Sequence, residues 1–140
     1  MTDGEVVVEL LTRLYNDDDA GAADELLAPD LASTYRAHAA RLRDSSGDMR
    51  IEILRVVDDG AGNVAVLYRR VGTHTGPMRG PYVDALTEAG VAAGTGARID
   101  ARGVWFAGVV DGRVVAVDSV ADNLTLFQQV GLVPGRPIVR

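Results

Sequence analysis

The sequence of 140 residues contains neither cysteine nor lysine, and it has only two histidines. The lack of cysteine excludes a disulfide framework, a thiol nucleophile and any cysteine-ligated zinc or iron–sulfur site. Two histidines are too few for a polyhistidine metal centre, so we predict no metal and no cofactor. The order Ser–His–Asp of a nucleophilic triad is missing, and the run Gly94-Thr95-Gly96 is too short for a phosphate-binding loop.

Basic residues are fewer than acidic ones. Fourteen arginines stand against 20 aspartates and glutamates, so the net charge is -6. This balance opposes nucleic-acid binding, which needs a concentrated basic surface. No apolar run approaches the ~18 residues that span a bilayer, and the acidic N-terminus lacks the basic segment of a signal peptide. We therefore expect a soluble, cytoplasmic protein that binds neither nucleic acid nor membrane.

The length predicts a single domain over residues 1–140, and an apolar content of 47% is typical of a globular protein. Apolar residues in the first part recur at helical spacing. Thr2 and Glu5 form a capping-box pattern for a helix that runs to about Tyr15. A short second helix ends before Pro29, and a third helix covers about residues 31–42.

From Met49 the apolar period changes to that of strands. Asp111-Gly112 is a strong hairpin signal, and Asp122 is positioned to cap a last helix that ends near Gly131. The predicted strands begin at Met49 and cover residues 64–75, 98–110 and 113–120, and a short helix is placed at 83–89 in the irregular segment 76–97. The order predicts an α+β fold with helices on the concave side of a curved antiparallel sheet. A pocket between such layers suits a small apolar ligand.

Two stretches resemble the SnoaL-like polyketide cyclases of the nuclear transport factor 2-like superfamily. They are Gly72-Thr73-His74-Thr75-Gly76 and the run from Asp111 to Val115, followed at the family's spacing by Asp122-Asn123-Leu124 and by residues 126–132; Leu27-Ala28-Pro29-Asp30 also resembles the family's first loop. The resemblance implies a cone-shaped fold, an apolar pocket and a homodimer. It also implies cofactor-free ring closure on a polyketide intermediate by acid–base chemistry, as in antibiotic biosynthesis.

The last strand departs from the family pattern. Where the family reads like Glu-His-Trp-Asp, this chain has Ala116, Val117, Asp118 and Ser119. An ungapped alignment places the family's inward acid at Ser119 and displaces Asp118 by one residue. One residue along a strand moves a side chain to the other face, so Asp118 reaches the pocket only if a bulge intervenes. We assign Asp118 as the candidate catalytic acid, with Val117 and Ser119 as pocket residues.

The second strand carries the other candidate catalytic residues. Alternation places Tyr68, Arg70 and His74 on one face, which we expect to look inward. Arg70 falls where the related epoxide hydrolases place an arginine, and in a pocket it can hold a carboxylate or an enolate; the alternative is a surface ion pair. His74 suits general acid–base chemistry near neutral pH; the alternative is a histidine that binds strand backbone at the rim.

Three further residues complete the predicted site. His38 and Tyr35 share an apolar helical stripe, which favours the pocket wall. Trp105 is the only tryptophan, and it is assigned either to the pocket wall or to the dimer interface. Because alternation leaves valines and Trp105 for the outer face of the sheet, we expect a homodimer packed through that face.

Three functions follow from these residues. The first is a cyclase that acts on a polyketide or related natural-product intermediate. The second is an epoxide hydrolase or epoxide-opening cyclase, which needs a paired acid and base. The third is a non-catalytic protein that binds a small, largely apolar molecule, and Val117 and Ser119 favour it directly because they replace the family's polar residues.

Overall fold

The computed structural model describes residues 1–135. Helices come first, an antiparallel sheet follows, and a last helix closes the described chain. The elements are α1 (Asp3–Leu11), a π-helical turn (Thr12–Asn16), α2 (Gly21–Leu26), α3 (Pro29–Ser45), β1 (Arg50–Asp58), β2 (Asn63–Thr73), α4 (Pro81–Leu86), β3 (Arg98–Val110), β4 (Arg113–Ala121) and α5 (Asn123–Gln129). The predicted α+β class is confirmed.

Side-chain caps fix two of the helices. The Thr2 hydroxyl accepts the Glu5 N–H, and the Glu5 carboxylate accepts the Thr2 N–H, which is the predicted capping box. Asp122 caps α5 as predicted, since its carboxylate accepts the N–H and the hydroxyl of Thr125. Pro29 follows α2 and also opens α3 at its first position, where its missing N–H costs nothing.

The four strands pair in sequence order and are all antiparallel. The sheet is curled and remains open. Two bulges interrupt the ladders, one at Leu54 in β1 and one at Val115 in β4. A bulge bends its strand and increases the local twist, so both contribute to the curvature of the sheet.

Apolar side chains form two clusters on the concave side of the sheet. The larger one joins α1, α2 and α3 to the inner face and includes Leu10, Leu27 and Val66. The smaller one joins α5 to β3 and to the segment around α4, and it includes Val83, Ile99 and Phe127. No helix in residues 1–135 combines the length and apolarity that a membrane crossing needs.

The short helix of the irregular segment begins at Pro81, two residues earlier than predicted. Pro81 occupies the first helical position, where its fixed φ suits a helix start. Antiparallel hydrogen bonds between Met78 and Ala92 tie the two sides of this segment together. The segment places α4 beside α5, where the ring centroids of Tyr82 and Phe127 lie 6.1 Å apart.

Candidate functional site

Two adjoining cavities lie between the helices and the concave face. The inner cavity has a volume of about 90 Å³ and reaches Leu11, Tyr15 and Ile51. The outer cavity has a volume of about 610 Å³ and extends to Thr34 and to the segment before α4. Both are lined by His38, Leu42, Tyr68, Arg70, Trp105, Ala121, Asn123 and Leu126. They form one site, and its volume is within the range that small-molecule pockets occupy.

Arg70 lies on the inward face of β2, as the alternation predicts, and lines both cavities. Its Nη2 donates to the Ser45 hydroxyl at 3.1 Å, while its Nε is buried without a hydrogen-bond partner in the described chain. No carboxylate of residues 1–135 lies within 4.0 Å of the guanidinium. The alternative prediction, a surface ion pair, therefore does not hold for the described residues. Burial lowers the pKa of Arg70 to about 10, which leaves it charged at neutral pH.

Tyr15 and His38 form a hydrogen-bonded pair at the inner wall, with 2.7 Å between Tyr15 Oη and His38 Nδ1. Burial raises the pKa of Tyr15, so the phenol keeps its proton. If the phenol accepted from Nδ1, its own buried proton would have no acceptor, which is costly. Tyr15 therefore donates to Nδ1, and the neutral imidazole of His38 carries its proton on Nε2.

The charge state of His38 follows from its surroundings. Burial, and to a smaller extent the positive charges of Arg41 and Arg70, together lower its pKa to about 4. His38 is thus a neutral hydrogen-bond donor at pH 7 and a weak base. This arrangement suits the stabilisation of negative charge on a ligand oxygen better than it suits proton abstraction.

Three aromatic rings, those of Tyr35, Tyr68 and Trp105, line the outer cavity. Tyr35 meets Trp105 edge to face, with 5.0 Å between the ring centroids. Burial raises the pKa of Tyr68, which keeps its hydroxyl protonated. Tyr68 pairs with Gly103 of β3, and a Cβ at that glycine would come within 2.3 Å of Tyr68 Oη. Gly103 therefore leaves the space that the Tyr68 ring occupies.

The bulge at Val115 decides which residues of β4 face the cavities. Val114 points inward and is fully buried, whereas after the bulge the inward positions are Val117 and Ser119. Ser119 pairs with Trp105 and lines the outer cavity, and Val117 packs against the larger apolar cluster without lining either cavity. The assignment of Val117 as a pocket-lining residue is corrected accordingly.

Asp118 lies on the outer face of the sheet. It pairs with Phe106, which is 56% exposed, and it is itself exposed. Without the extra residue at Val115, the period of two that begins at Val114 would have turned Asp118 inward. The assignment of Asp118 as a pocket acid is therefore corrected: the bulge that could have brought it inward has the opposite effect.

His74 is fully buried just beyond the end of β2 and lines neither cavity. Its Nδ1 lies 3.1 Å from the Thr95 hydroxyl, and its main chain exchanges hydrogen bonds with Ala97 and Gly96. These hydrogen bonds connect His74, just before the irregular segment 76–97, to the residues at the end of that segment. The structure brings it together with this segment and not with Arg70.

Sequence reasoning missed three polar residues of the site. Tyr15 was assigned only to a helical stripe, although a hydroxyl on a buried stripe needs a partner such as His38. Arg41 follows His38 by three residues on α3 and so shares its face. Arg79 lies in the irregular segment, where no periodicity marks it. Among residues 1–135, no three histidine, aspartate or glutamate side chains are grouped so as to hold a metal ion.

Comparison with solved structures identifies the same fold in bacterial proteins. TsrD from Streptomyces laurentii superposes with a TM-score of 0.76 at 19% identity, covering 92% of this chain and 94% of TsrD. For wild-type IdmH from Streptomyces antibioticus the TM-score is 0.74 at 19% identity, with 94% and 99% covered. A SnoaL-like polyketide cyclase from Agrobacterium tumefaciens strain C58 gives 0.70 at 16% identity, again with 94% and 99% covered.

No curated protein matches the sequence. The family model of the SnoaL-like polyketide cyclases does match it, over residues 5–130. This match includes every helix and strand except the first two residues of α1, and with them all the residues that line the two cavities. The chain belongs to the SnoaL-like polyketide cyclase family.

Proposed function

We propose that this protein is a cofactor-independent cyclase that closes a ring on a polyketide or related natural-product intermediate. Membership of the family supports a role of the cyclase or isomerase type. The observation that carries the finer proposal is Arg70, a buried charged guanidinium that lines both cavities. A buried cation is costly unless it is paired, so this one is set to receive an anion from the ligand.

The groups around the shared part of the cavities are hydrogen-bond donors. Arg70 is a cation, His38 presents a neutral N–H, and Tyr68 keeps its phenolic proton. Such a set matches the negative oxygen that develops when a carbon between two carbonyls loses its proton. The enolate carbon then attacks a second carbonyl of the same chain, a C–C bond forms, and the new alkoxide takes a proton.

The proton of the carbon acid passes to solvent in this scheme. The outer cavity opens to the surface, and His38 cannot accept the proton at Nε2 because that atom already carries one. Stabilisation of the enolate by fixed donors and folding of the chain in an apolar cavity supply the rate. Orientation alone is worth up to ~7–11 kcal/mol of barrier.

Epoxide opening is less well supported. It needs a carboxylate pair or an equivalent acid and base in the pocket. In the described part of the chain, Asp122 is the one carboxylate residue that lines either cavity, and both of its oxygens accept hydrogen bonds from Thr125. This residue caps α5, so the described cavity residues do not supply the acid and base that epoxide opening needs, although Arg70 is in place.

The test uses 2-naphthol, a flat apolar molecule with one ionisable hydroxyl, as a mimic of the enolate. A cation within ~4–6 Å lowers the pKa of an acidic group by about 1–3 units. We expect bound 2-naphthol to ionise at lower pH than free 2-naphthol, as the absorbance of the naphtholate reports. The Arg70→Gln variant should lose this shift, and Arg70→Lys should keep part of it.

Two variants control for general effects of charge. Arg55→Gln removes an exposed arginine from β1 on the outer face, and Asp118→Asn removes the outward acid. Both should leave the naphthol titration as in the wild type. Once a substrate is available, Arg70→Gln should lower turnover by ~10²–10³-fold, the usual effect of losing one oxyanion donor. The proposal would be contradicted if bound 2-naphthol ionised at the same pH in Arg70→Gln as in the wild type.

We also propose that the protein works in the cytoplasm as a homodimer joined through the outer face of the sheet. The sequence pattern predicts Trp105 at this dimer face, but the residue is 3% exposed and lines the cavities. Its neighbour Phe106 takes that place, and with Val57 and Val110 it leaves large apolar side chains exposed on the outer face. A second copy of the chain would cover them.

A further inference from the structure

The outer cavity has a charge opposite to that of the protein. The chain carries a net charge of -6. Yet the residues that line the outer cavity include three arginines, Arg41, Arg70 and Arg79, and, within the described residues, no aspartate or glutamate. They come from α3, from β2 and from the irregular segment before α4, so no single surface run explains them.

Ion pairing separates Arg41 from the other arginines of the same stretch of α3. Arg36 and Arg43, which precede and follow Arg41 on α3, are bound to Asp24 and Asp18 respectively. Arg41 itself has no carboxylate within 4.0 Å in the described part of the protein, and the same holds for the other two arginines of the outer cavity. On α3, therefore, both neighbouring arginines are neutralised, whereas Arg41, which lines the cavity, has no carboxylate partner within residues 1–135.

The charges act on a common space. Arg41 and Arg70 both lower the pKa of His38, which lies between the cavities, and they add to the larger effect of its burial. Charges that reach the same imidazole from two elements also reach a ligand beside it. A cavity with focused positive potential attracts an anionic ligand and disfavours a cationic one.

We propose that the outer cavity binds an anionic group, a carboxylate or a phosphate, at one end of an extended apolar substrate. Arg41 and Arg79 are exposed and hold this group at the mouth, while the reactive carbons lie deeper, beside Arg70. Two sources supply this chemistry: the free carboxylate of an acidic substrate, or the phosphate of a pantetheine arm that carries the substrate as a thioester. The inference rests on the proposed function, since it names the substrate class of that site.

The test follows the fluorescence of Trp105, the only tryptophan, which lines both cavities. Octanoate is compared with methyl octanoate, and S-octanoyl-4′-phosphopantetheine with S-octanoyl-pantetheine. An exposed ion pair contributes a factor of about two to five in affinity. We therefore expect one of the two anionic probes to bind ~10-fold more tightly than its neutral partner at low salt, and the pair that shows this preference identifies the source of the anion.

The double variant Arg41→Gln, Arg79→Gln should reduce the preference to less than about twofold while it leaves the affinity for the neutral probe unchanged. Arg36→Gln, on the same helix, is the matched control and should keep the full preference. Equal affinity for anionic and neutral probes in both pairs would overturn the inference, as would a preference that survives in the double variant. The naphthol titration depends on Arg70, so its success beside equal affinities would leave the proposed function standing and remove only the anionic substrate.

Discussion

The pair of Tyr15 and His38 predicts a specific dependence of stability on pH. Burial and two arginines lower the pKa of His38 from 6.5 to about 4 in the folded protein. In the unfolded chain the imidazole keeps its ordinary value, so between these two pH values the unfolded state binds the additional proton. This difference of about 2.5 between the pKa values of His38 in the two states corresponds to about 3 kcal/mol in the free energy of unfolding.

The sign follows from linkage. The contribution of His38 is fully present above the unfolded pKa of 6.5, because the imidazole is then neutral in both states. It is lost as the pH falls from 6.5 towards 4, and below the folded pKa no further loss occurs. The free energy of unfolding should therefore fall by about 3 kcal/mol over this interval through His38 alone.

The assay is urea unfolding at a series of pH values, followed by the fluorescence of Trp105. Carboxylates also titrate below pH 5, so the contribution of His38 is the difference between the wild type and His38→Gln. That difference should change by about 3 kcal/mol across the interval. Tyr15→Phe removes the donor to Nδ1, so it should destabilise the protein by ~1–3 kcal/mol and raise the pKa of His38. A difference that is independent of pH, or a titration of His38 by NMR with its midpoint above 6, would refute the reasoning.

Two further predictions concern the cavity wall and the assembly. Gly103→Ala places a Cβ within 2.3 Å of Tyr68 Oη and should cost ~1–3 kcal/mol in urea unfolding; Gly108→Ala on the same strand, where the nearest atom is at 3.5 Å, is the control, and equal stability of the two variants would contradict the packing argument. Phe106→Glu puts a charge on the exposed outer face and should convert a homodimer to monomer in light scattering at micromolar concentration, whereas a wild type that is itself monomeric there would contradict the proposed dimer.

The fold was predictable because its signals are local. The strand at 98–110 was predicted with the bounds that β3 has, since apolar and charged residues alternate at its start and Asp111-Gly112 closes the hairpin. Asp122 was predicted as a cap from its position before an apolar helical run, and it is one. Each of these signals depends on residues within a few positions of one another, so tertiary structure had little opportunity to override them.

The inward orientation of Trp105 could also have been predicted from the sequence. Charged Asp100 and Arg102 alternate with apolar Ile99 and Ala101, and Trp105 has the parity of the apolar residues. The burial of β3 alternates in this way throughout, with Ile99, Ala101 and Trp105 buried. The expectation of a tryptophan at the dimer face was therefore inconsistent with the alternation from which it was drawn.

The orientation of Asp118 could not be predicted from the sequence pattern. It depends on one extra residue, Val115, in a ladder whose other strand is 13 residues long. Where a bulge falls depends on how the hairpin fits onto the helices, and Leu27 pairs with Val114 at that point. The same holds for Arg79, whose place at the cavity depends on the path of an irregular segment. Sequence patterns therefore leave two features of a site undetermined: the face to which a residue points after a bulge, and the position of a residue in an irregular segment.

The position of Ser119 connects these findings to the chemistry. It lies inward beside Trp105 at the place where the family pattern has an acid, and a serine there does not titrate near neutral pH. With the acid replaced and Asp118 turned outward, the cavity side chains of residues 1–135 offer a cation and neutral donors. The one carboxylate among them, Asp122, caps α5 and is not placed as a proton acceptor. Stabilisation of an oxyanion does not require such an acceptor when the carbon acid lies between two carbonyls, because solvent removes its proton readily. The loss of the usual acid and the presence of Arg70, which has no carboxylate partner within residues 1–135, therefore both support the proposed chemistry, in which the protein holds and folds an enolate and leaves proton transfer to water.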